Sequence, residues 1–349
     1  MLLCAAGTPV KMMRKKTSGI QGDFKMEDKQ KELAAENIRL GDVNYTLPPG
    51  HPVFIFLQEN KCIREMAEKL REALAGEDEQ QLSRGMKKIQ LIRLHYAKTE
   101  ELLMPLLYGY GVTGPAQVMW QADDEIKKEA GLIAASLSKD PENAVIYRGR
   151  IEQLLQRIQE TIVKEEKILL PLSLRFFTEI EWFQVYRDLP EFGLAGVDVL
   201  PKWEAAEVWQ KAQEEKLSAY QEGIVHLPTG EVSLRELTAI FKLLPVDLTF
   251  IDKDDILRFF TNEGKIFGRP LSALGREVYR CHAPHIIPVV RNLIADFKAK
   301  KRVKFEVWRN IAGKPVGVKY LGVYDKNGEY LGTLEIVQDF QEALDHFAK

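Results

Sequence analysis

From His51 to Phe177 the apolar positions recur three and four residues apart, the period of a helix with one buried face. Breakers divide this stretch into four long helices. The first opens at His51-Pro52, with proline in the first turn, where its missing N–H costs nothing, and runs to about Ala75. The others run from about Glu79 to Tyr108, Ala116 to Leu137 and Ala144 to Phe177, separated by Gly76 to Asp78, GYGVTGP (109–115) and SKDPEN (138–143). Long helices with short connections predict an up-down-up-down four-helix bundle. Glu179 to Arg187 predicts a short helix that packs aromatics on the bundle end.

Each apolar stripe is interrupted on its buried face. Ile55, Cys62, Met66 and Leu70 flank Glu59, with His51 one turn before Ile55. Ile92, Leu102 and Leu106 share a stripe with His95 and Thr99; Met119, Ile126, Ala130 and Ile133 with Asp123; Ile151, Leu154, Ile158 and Ile168 with Thr161 and Glu165. A lone buried carboxylate costs several kcal/mol unless it is paired or bound to a cation. Four helices with the same interruption predict a shared polar centre, and His51, Glu59, His95, Asp123 and Glu165 are its candidate metal ligands. Carboxylate-rich bundles with a few histidines hold iron or manganese. The alternatives are a water-filled or an ion-paired core. Glu100 is a reserve candidate, because five residues of ideal helix place it about 140° round from His95.

After Ser233 the period shortens. Leu234 to Leu244 predicts a short amphipathic helix and Ile286 to Lys300 a longer one. Strands are predicted at Val246 to Asp252, Ile256 to Thr261, Val303 to Asn310, Val316 to Tyr324 and Tyr330 to Gln338. Lys326-Asn327-Gly328 is a strong hairpin signal between the last two. The chain therefore divides into an irregular extension (1–45), a bundle (46–190), a connector (191–229) and a five-stranded antiparallel α/β domain (230–345), an α+β protein of two domains.

Composition narrows the function classes. The 349 residues carry a formal net charge of −2 without a long basic run, so nucleic acid is not an expected partner. Cys4, Cys62 and Cys281 are far apart and form no disulfide framework or cysteine zinc site, which suits a reducing cytosol. No apolar run is long enough to span a membrane, so no membrane association is expected. The opening residues lack the basic start of a secretory signal; Met26 is an alternative start, and Met26 to Asn37 a short helical candidate. Cys281, His282 and His285 cluster before the last long helix, where imidazole or thiolate could hold haem or another small ligand. His226 lies in the connector and is expected to be exposed.

The segments HYAKTEELLMP, GVTGPAQVMWQADDEIKK and KEEKILLP, with His51 opening the first helix, together resemble haemerythrin-like HHE domains over about residues 50 to 190. The segments LLPVDLTFIDKDD, FFTNEGKIFGRPLSALGREVYRCHAP, FEVWRN and YDKNGEYLGTLEIVQDF resemble the PAS domains that follow HHE domains in a bacterial and archaeal branch. The first resemblance implies non-haem iron, often as a di-iron pair. The second implies a pocket for a ligand, contact with a protein partner and, at family level, a homodimer. This chain departs from the HHE pattern at Thr99, where glutamate is usual, at Thr161, where histidine is usual, and at Asp123, where many relatives have histidine. It reads CHAPH (281–285) where PAS relatives have a CHPPK-like segment. Together these features predict a cytoplasmic sensory or signalling protein. The alternatives are an iron-dependent oxidase, peroxidase or nitrosative-damage repair enzyme, and a metal-free adaptor.

Overall fold

The computed structural model describes residues 36–76, 79–139, 144–218, 223–262, 266–311 and 313–348. A helical bundle comes first. It comprises α1 (Pro52–Ala75), α2 (Glu79–Ile89), α3 (Ile92–Lys98), α4 (Met104–Gly109), α5 (Gly114–Lys139), α6 (Ala144–Lys164) and α7 (Leu170–Phe176). The helix expected over Glu79 to Tyr108 breaks between α2 and α3, and α3 passes into α4 through a π-turn at Thr99–Leu103. A second π-turn, Glu165–Leu169, joins α6 to α7.

Both π-turns have the same local cause. Pro105 and Pro171 have no N–H to donate, and their rings crowd the carbonyl four residues back. The backbone widens by one residue just before each proline: Met104 N–H reaches Thr99 O, and Leu170 N–H reaches Glu165 O. π-Turns inside helices are rare and concentrate at functional sites. Here they move the buried face one residue along. The sequence stripe placed Leu106 and Ile168 in the core. Instead Leu107 and Leu169 are fully buried, and Ile168 is 41% exposed.

The bundle core is divided. One apolar cluster contains Phe56, Leu102, Met119 and Leu169. The other contains Ile63, Ile92, Ile126 and Ile162. Between them lies a layer of buried polar side chains: Glu59, His95, Thr99, Glu100, Asp123, Thr161 and Glu165. The first cluster extends over the bundle end to α8 (Glu179–Asp188), whose Thr178–Glu181 capping box fixes its start. The expected aromatic cap is there, with Trp182, Phe183 and Tyr186 buried beside Trp203. Residues 36–47, assigned as far as 45 to the irregular extension, form a hairpin of β1 (Glu36–Leu40) and β2 (Val43–Leu47). The rest of that extension, including Cys4, Met26 and most of the short helical candidate, lies outside the described residues.

The connector holds α9 (Glu204–Ser218) and a second hairpin of β3 (Ile224–Leu227) and β4 (Gly230–Ser233), on which His226 is exposed. After α10 (Leu234–Leu243), the C-terminal domain builds its sheet from β5 (Asp247–Asp252), β6 (Leu257–Phe260), β7 (Lys304–Ile311), β8 (Lys314–Tyr324) and β9 (Tyr330–Asp339). All pairings are antiparallel, in the order β6-β5-β9-β8-β7, so the five expected strands form one sheet. α11 (Ile287–Lys298) follows the β6–β7 loop segments, and α12 (Gln341–Phe347) closes the described chain. Bundle and sheet belong to one compact unit. Ser272 N–H donates to Asp188 at the end of α8 (3.0 Å), tying one to the other. Among the described residues no helix is long and apolar enough to cross a membrane.

At Gly332 the two central strands approach too closely for a side chain. Its φ is +156°, and a Cβ there would lie 2.2 Å from the Ile251 carbonyl oxygen. Gly332→Ala is therefore expected to destabilise the C-terminal domain by about 3 kcal/mol, measured by urea unfolding. An unchanged midpoint would show that the β5–β9 pairing relaxes freely.

Candidate functional site

The polar layer has two halves. In the first, His95 bridges two carboxylates: Nδ1 lies 2.8 Å from Glu59 Oε2 and Nε2 lies 3.0 Å from Glu165 Oε2. Glu59 also accepts from the Ala195 N–H (2.8 Å) and pairs with the Lys98 ammonium (2.9 Å). Lys98 is fully buried and donates further to the carbonyls of Leu94 (2.9 Å) and Gly193 (2.5 Å). Every polar atom in this half has a partner. Burial alone would lower the His95 imidazole, but Glu165 and Glu59 outweigh it and hold His95 up to about 9, so it is an imidazolium that donates from both nitrogens. Burial alone would raise the Glu59 carboxyl, but His95, Lys98 and Ala195 together hold it below its ordinary range.

The second half is unmatched. Asp123 is fully buried, and neither of its oxygens has a hydrogen-bond partner; Glu165 Oε1 and the Tyr96 hydroxyl are also orphaned. Burial drives the Asp123 carboxyl well above its ordinary range, and repulsion from Glu100 and Glu165 adds to it. Each orphaned buried group costs on the order of 1–3 kcal/mol, more when charged. Among the described residues no three His, Cys, Asp or Glu side chains are already arranged as a metal-ligand set. The orphaned oxygens nevertheless have the chemistry that a cation satisfies. The first half is less open: both imidazole nitrogens face carboxylates, and Glu59 already receives three donors.

The sequence candidates thus separate. Glu59, His95, Asp123 and Glu165 meet in one layer. His51 does not join them. It caps α1, its Nδ1 accepting from the Val53 N–H (3.3 Å), with its ring against Trp182 and Trp203 at centroid distances of 4.6 and 4.9 Å. Eight residues of helix separate it from Glu59, about 12 Å of axial rise. Glu100, set aside on ideal helical spacing, does join: the π-turn adds a residue to the turn and returns it to the His95 face. It is buried, and both its oxygens are held by the Lys127 ammonium (2.6 and 2.7 Å). Burial raises its carboxyl to about 7 against the pull of Lys127. The one signal for Glu100 in the sequence was the proline that forces the turn.

A cavity of about 630 Å³ lies in the C-terminal domain. It is walled mainly by apolar side chains such as Ile251, Phe267, Val290 and Phe305, and Ala97, Glu100, Glu101 and Phe192 of the bundle complete it. Burial raises the Glu101 carboxyl to about 7, opposed by Arg276 and Arg269. Of the three residues proposed for a cofactor, Cys281 and His282 line the cavity and the exposed His285 does not. Burial pushes the Cys281 thiol up to about 11, which disfavours thiolate ligation. Burial also lowers the His282 imidazole, so it is neutral, and its Nδ1 faces the Val278 carbonyl at 2.8 Å. Nδ1 therefore carries the proton and Nε2 keeps its lone pair.

Residues 51–173 match the family model described as Hemerythrin HHE cation binding domain, and residues 237–341 match one described as PAS domain. The chain is similar to a C-terminal domain from Streptococcus mutans of known crystal structure, with 29% identity over 36% of this chain and 98% of that one (TM-score 0.34). It is also similar to the PAS domain of a Colwellia psychrerythraea protein, with 14% identity over 31% and 98% of the two chains (TM-score 0.25). A third similarity is to the PAS domain of BvgS from Bordetella pertussis, with 15% identity over 40% and 96% (TM-score 0.24). No curated protein matches the chain at a significant level.

The His51 cap makes the bundle acid-sensitive. Burial lowers its imidazole from 6.5 to about 3. The stability it confers is complete above pH 6.5 and is lost as the pH falls toward 3, because the unfolded chain binds the proton first. Between about pH 6.5 and pH 5 the loss is expected to reach about 2 kcal/mol. His51→Asn keeps a capping acceptor and removes the titration, so its unfolding free energy should fall less over this range. Parallel curves for the two proteins would exclude His51 as the source.

Proposed function

We propose that this chain, an HHE domain of the haemerythrin family followed by a PAS domain, is a sensory or signalling protein that reports the state of a cation in its bundle to its PAS cavity. One observation carries the reading. Glu100 and Glu101 are successive residues of one π-turn; Glu100 faces the unmatched carboxylates of the bundle and also lines the PAS cavity beside Glu101. Any change in charge or occupancy at Asp123 and Glu165 acts on Glu100 directly, and through the same turn on the cavity wall. Coupling between two sites requires an element that both of them bias, and this turn touches both.

The family's name supplies the cation, and the orphaned oxygens support its place. Asp123 and Glu165 would hold it, with Glu100 at the rim. Iron is the finer reading; bound there it would supply redox and gas-binding chemistry. His95 orients Glu165 through Nε2, and Lys98 with Ala195 N–H fixes Glu59. In the cavity the supported ligand is a small, mainly apolar molecule that meets the His282 Nε2 lone pair; haem ligated at that nitrogen is one such ligand. The output reading is contact with a protein partner through the PAS domain, with a homodimer as the family-level expectation and the cytoplasm as the compartment. A second reading, a metal-free adaptor, is favoured by the fully hydrogen-bonded Glu59–His95–Lys98 half.

Protein purified without added metal is expected to contain iron, and the Asp123→Asn, Glu165→Gln double variant to lose it. Removing the metal from the wild type should change amide hydrogen exchange in β5 and β9, which wall the cavity. Protein that stays metal-free after anaerobic iron addition establishes the adaptor. Metal binding without any exchange change at the cavity refutes the coupling. A Soret band on haem addition that disappears in His282→Ala would identify the cavity ligand.

A further inference from the structure

The polar layer is unevenly satisfied: Glu59, His95 and Lys98 are fully paired, whereas Asp123 and one oxygen of Glu165 have no partner. Lys98 marks the division. Its ammonium is fully buried and meets three oxygens, from Glu59, Leu94 and Gly193. Three acceptors use all its protons, so it is locked in place rather than held by one movable contact. Glu59 in turn receives Lys98, the Ala195 N–H and His95 Nδ1, so three donors already engage its two oxygens. On the other side of His95, the unpartnered atoms are both oxygens of Asp123, Glu165 Oε1 and the Tyr96 hydroxyl, on residues that are at most 1% exposed. Glu165 spans the division: Oε2 meets His95, and Oε1 is open.

We propose that the layer takes a single hard divalent cation, bound through oxygen by Asp123 and Glu165, and that the Lys98 ammonium permanently holds the place of a second. This deepens the cation reading above and rests on it. The donor set on the open side is oxygen only, the set that suits magnesium, calcium and manganese over softer ions. His95 is a positioning residue: its two nitrogens lie against Glu59 and Glu165, so it aims Glu165 and has no nitrogen turned toward a cation. Glu100 can reach the cation only by leaving Lys127.

Mn²⁺ titrated into the full-length, metal-stripped protein tests this, read by stoichiometry and by electron paramagnetic resonance. The expected result is one ion per chain, the spectrum of an isolated ion, and no nitrogen hyperfine coupling. Asp123→Asn should weaken binding by about a hundredfold. Lys98→Met, which keeps the stem and removes the charge, should admit a second ion if it folds; the wild-type spectrum decides the case if it does not. Two ions per chain, an exchange-coupled pair, or nitrogen coupling in the wild type would overturn the inference and leave the cation reading standing. No binding by the wild type would overturn both.

Discussion

Charge burial is the constraint on which the bundle depends. Glu59, His95, Lys98, Asp123 and Glu165 lie together inside a helical core, where each ion is costly without a partner. The chain meets this cost in two ways at one level. Glu59 is paired with His95 and Lys98 through short hydrogen bonds, and His95 also reaches Glu165. Asp123 and the outer oxygen of Glu165 have no hydrogen-bond partner, and burial, with repulsion from Glu100 and Glu165 only partly offset by Lys127, raises the Asp123 carboxyl. The layer is therefore a structural element that divides the apolar core into two clusters and leaves the Asp123 oxygens and Glu165 Oε1 without a hydrogen-bond partner.

Two prolines place the groups in that layer. By forcing π-turns, Pro105 and Pro171 shift the buried face by one residue, which brings Glu100 inward and turns Ile168 outward. The first turn lies where bundle and C-terminal domain meet, so Glu100 and Glu101 address two chemically different spaces: one a cluster of carboxylates, the other a largely apolar cavity. A helix that continued in ideal α-geometry would have put Glu100 on another face. The link between the domains thus follows from a backbone irregularity with a definite covalent cause.

Much of this was legible in the sequence. The five strands and their hairpin signal, the helical first half and the end-capping aromatics follow from apolar period and turn chemistry, which are local properties. The polar interruptions at Glu59, His95, Asp123 and Glu165 were visible for the same reason: a charged residue at a core position breaks a period. The hairpins over 36–47 and 224–233 were missed, since short strands carry too little pattern to stand out. His51 at a helix start reads in sequence equally well as a cap or a ligand, and in the fold its Nδ1 caps α1.

What the sequence determined by itself, then, is the order of elements and the presence of buried charge, because both are written in residue type and spacing. Only the tertiary structure decided which charges pair. Lys98 was not on the polar list, since a lysine in a helix ordinarily reaches solvent; it is buried where Gly193 supplies one of its acceptors and the neighbouring Ala195 N–H donates to its partner Glu59. Likewise, only the packed fold set Glu100 against both the bundle layer and the cavity. Pairing and shared walls depend on contacts between residues distant in the chain, and no local period encodes them.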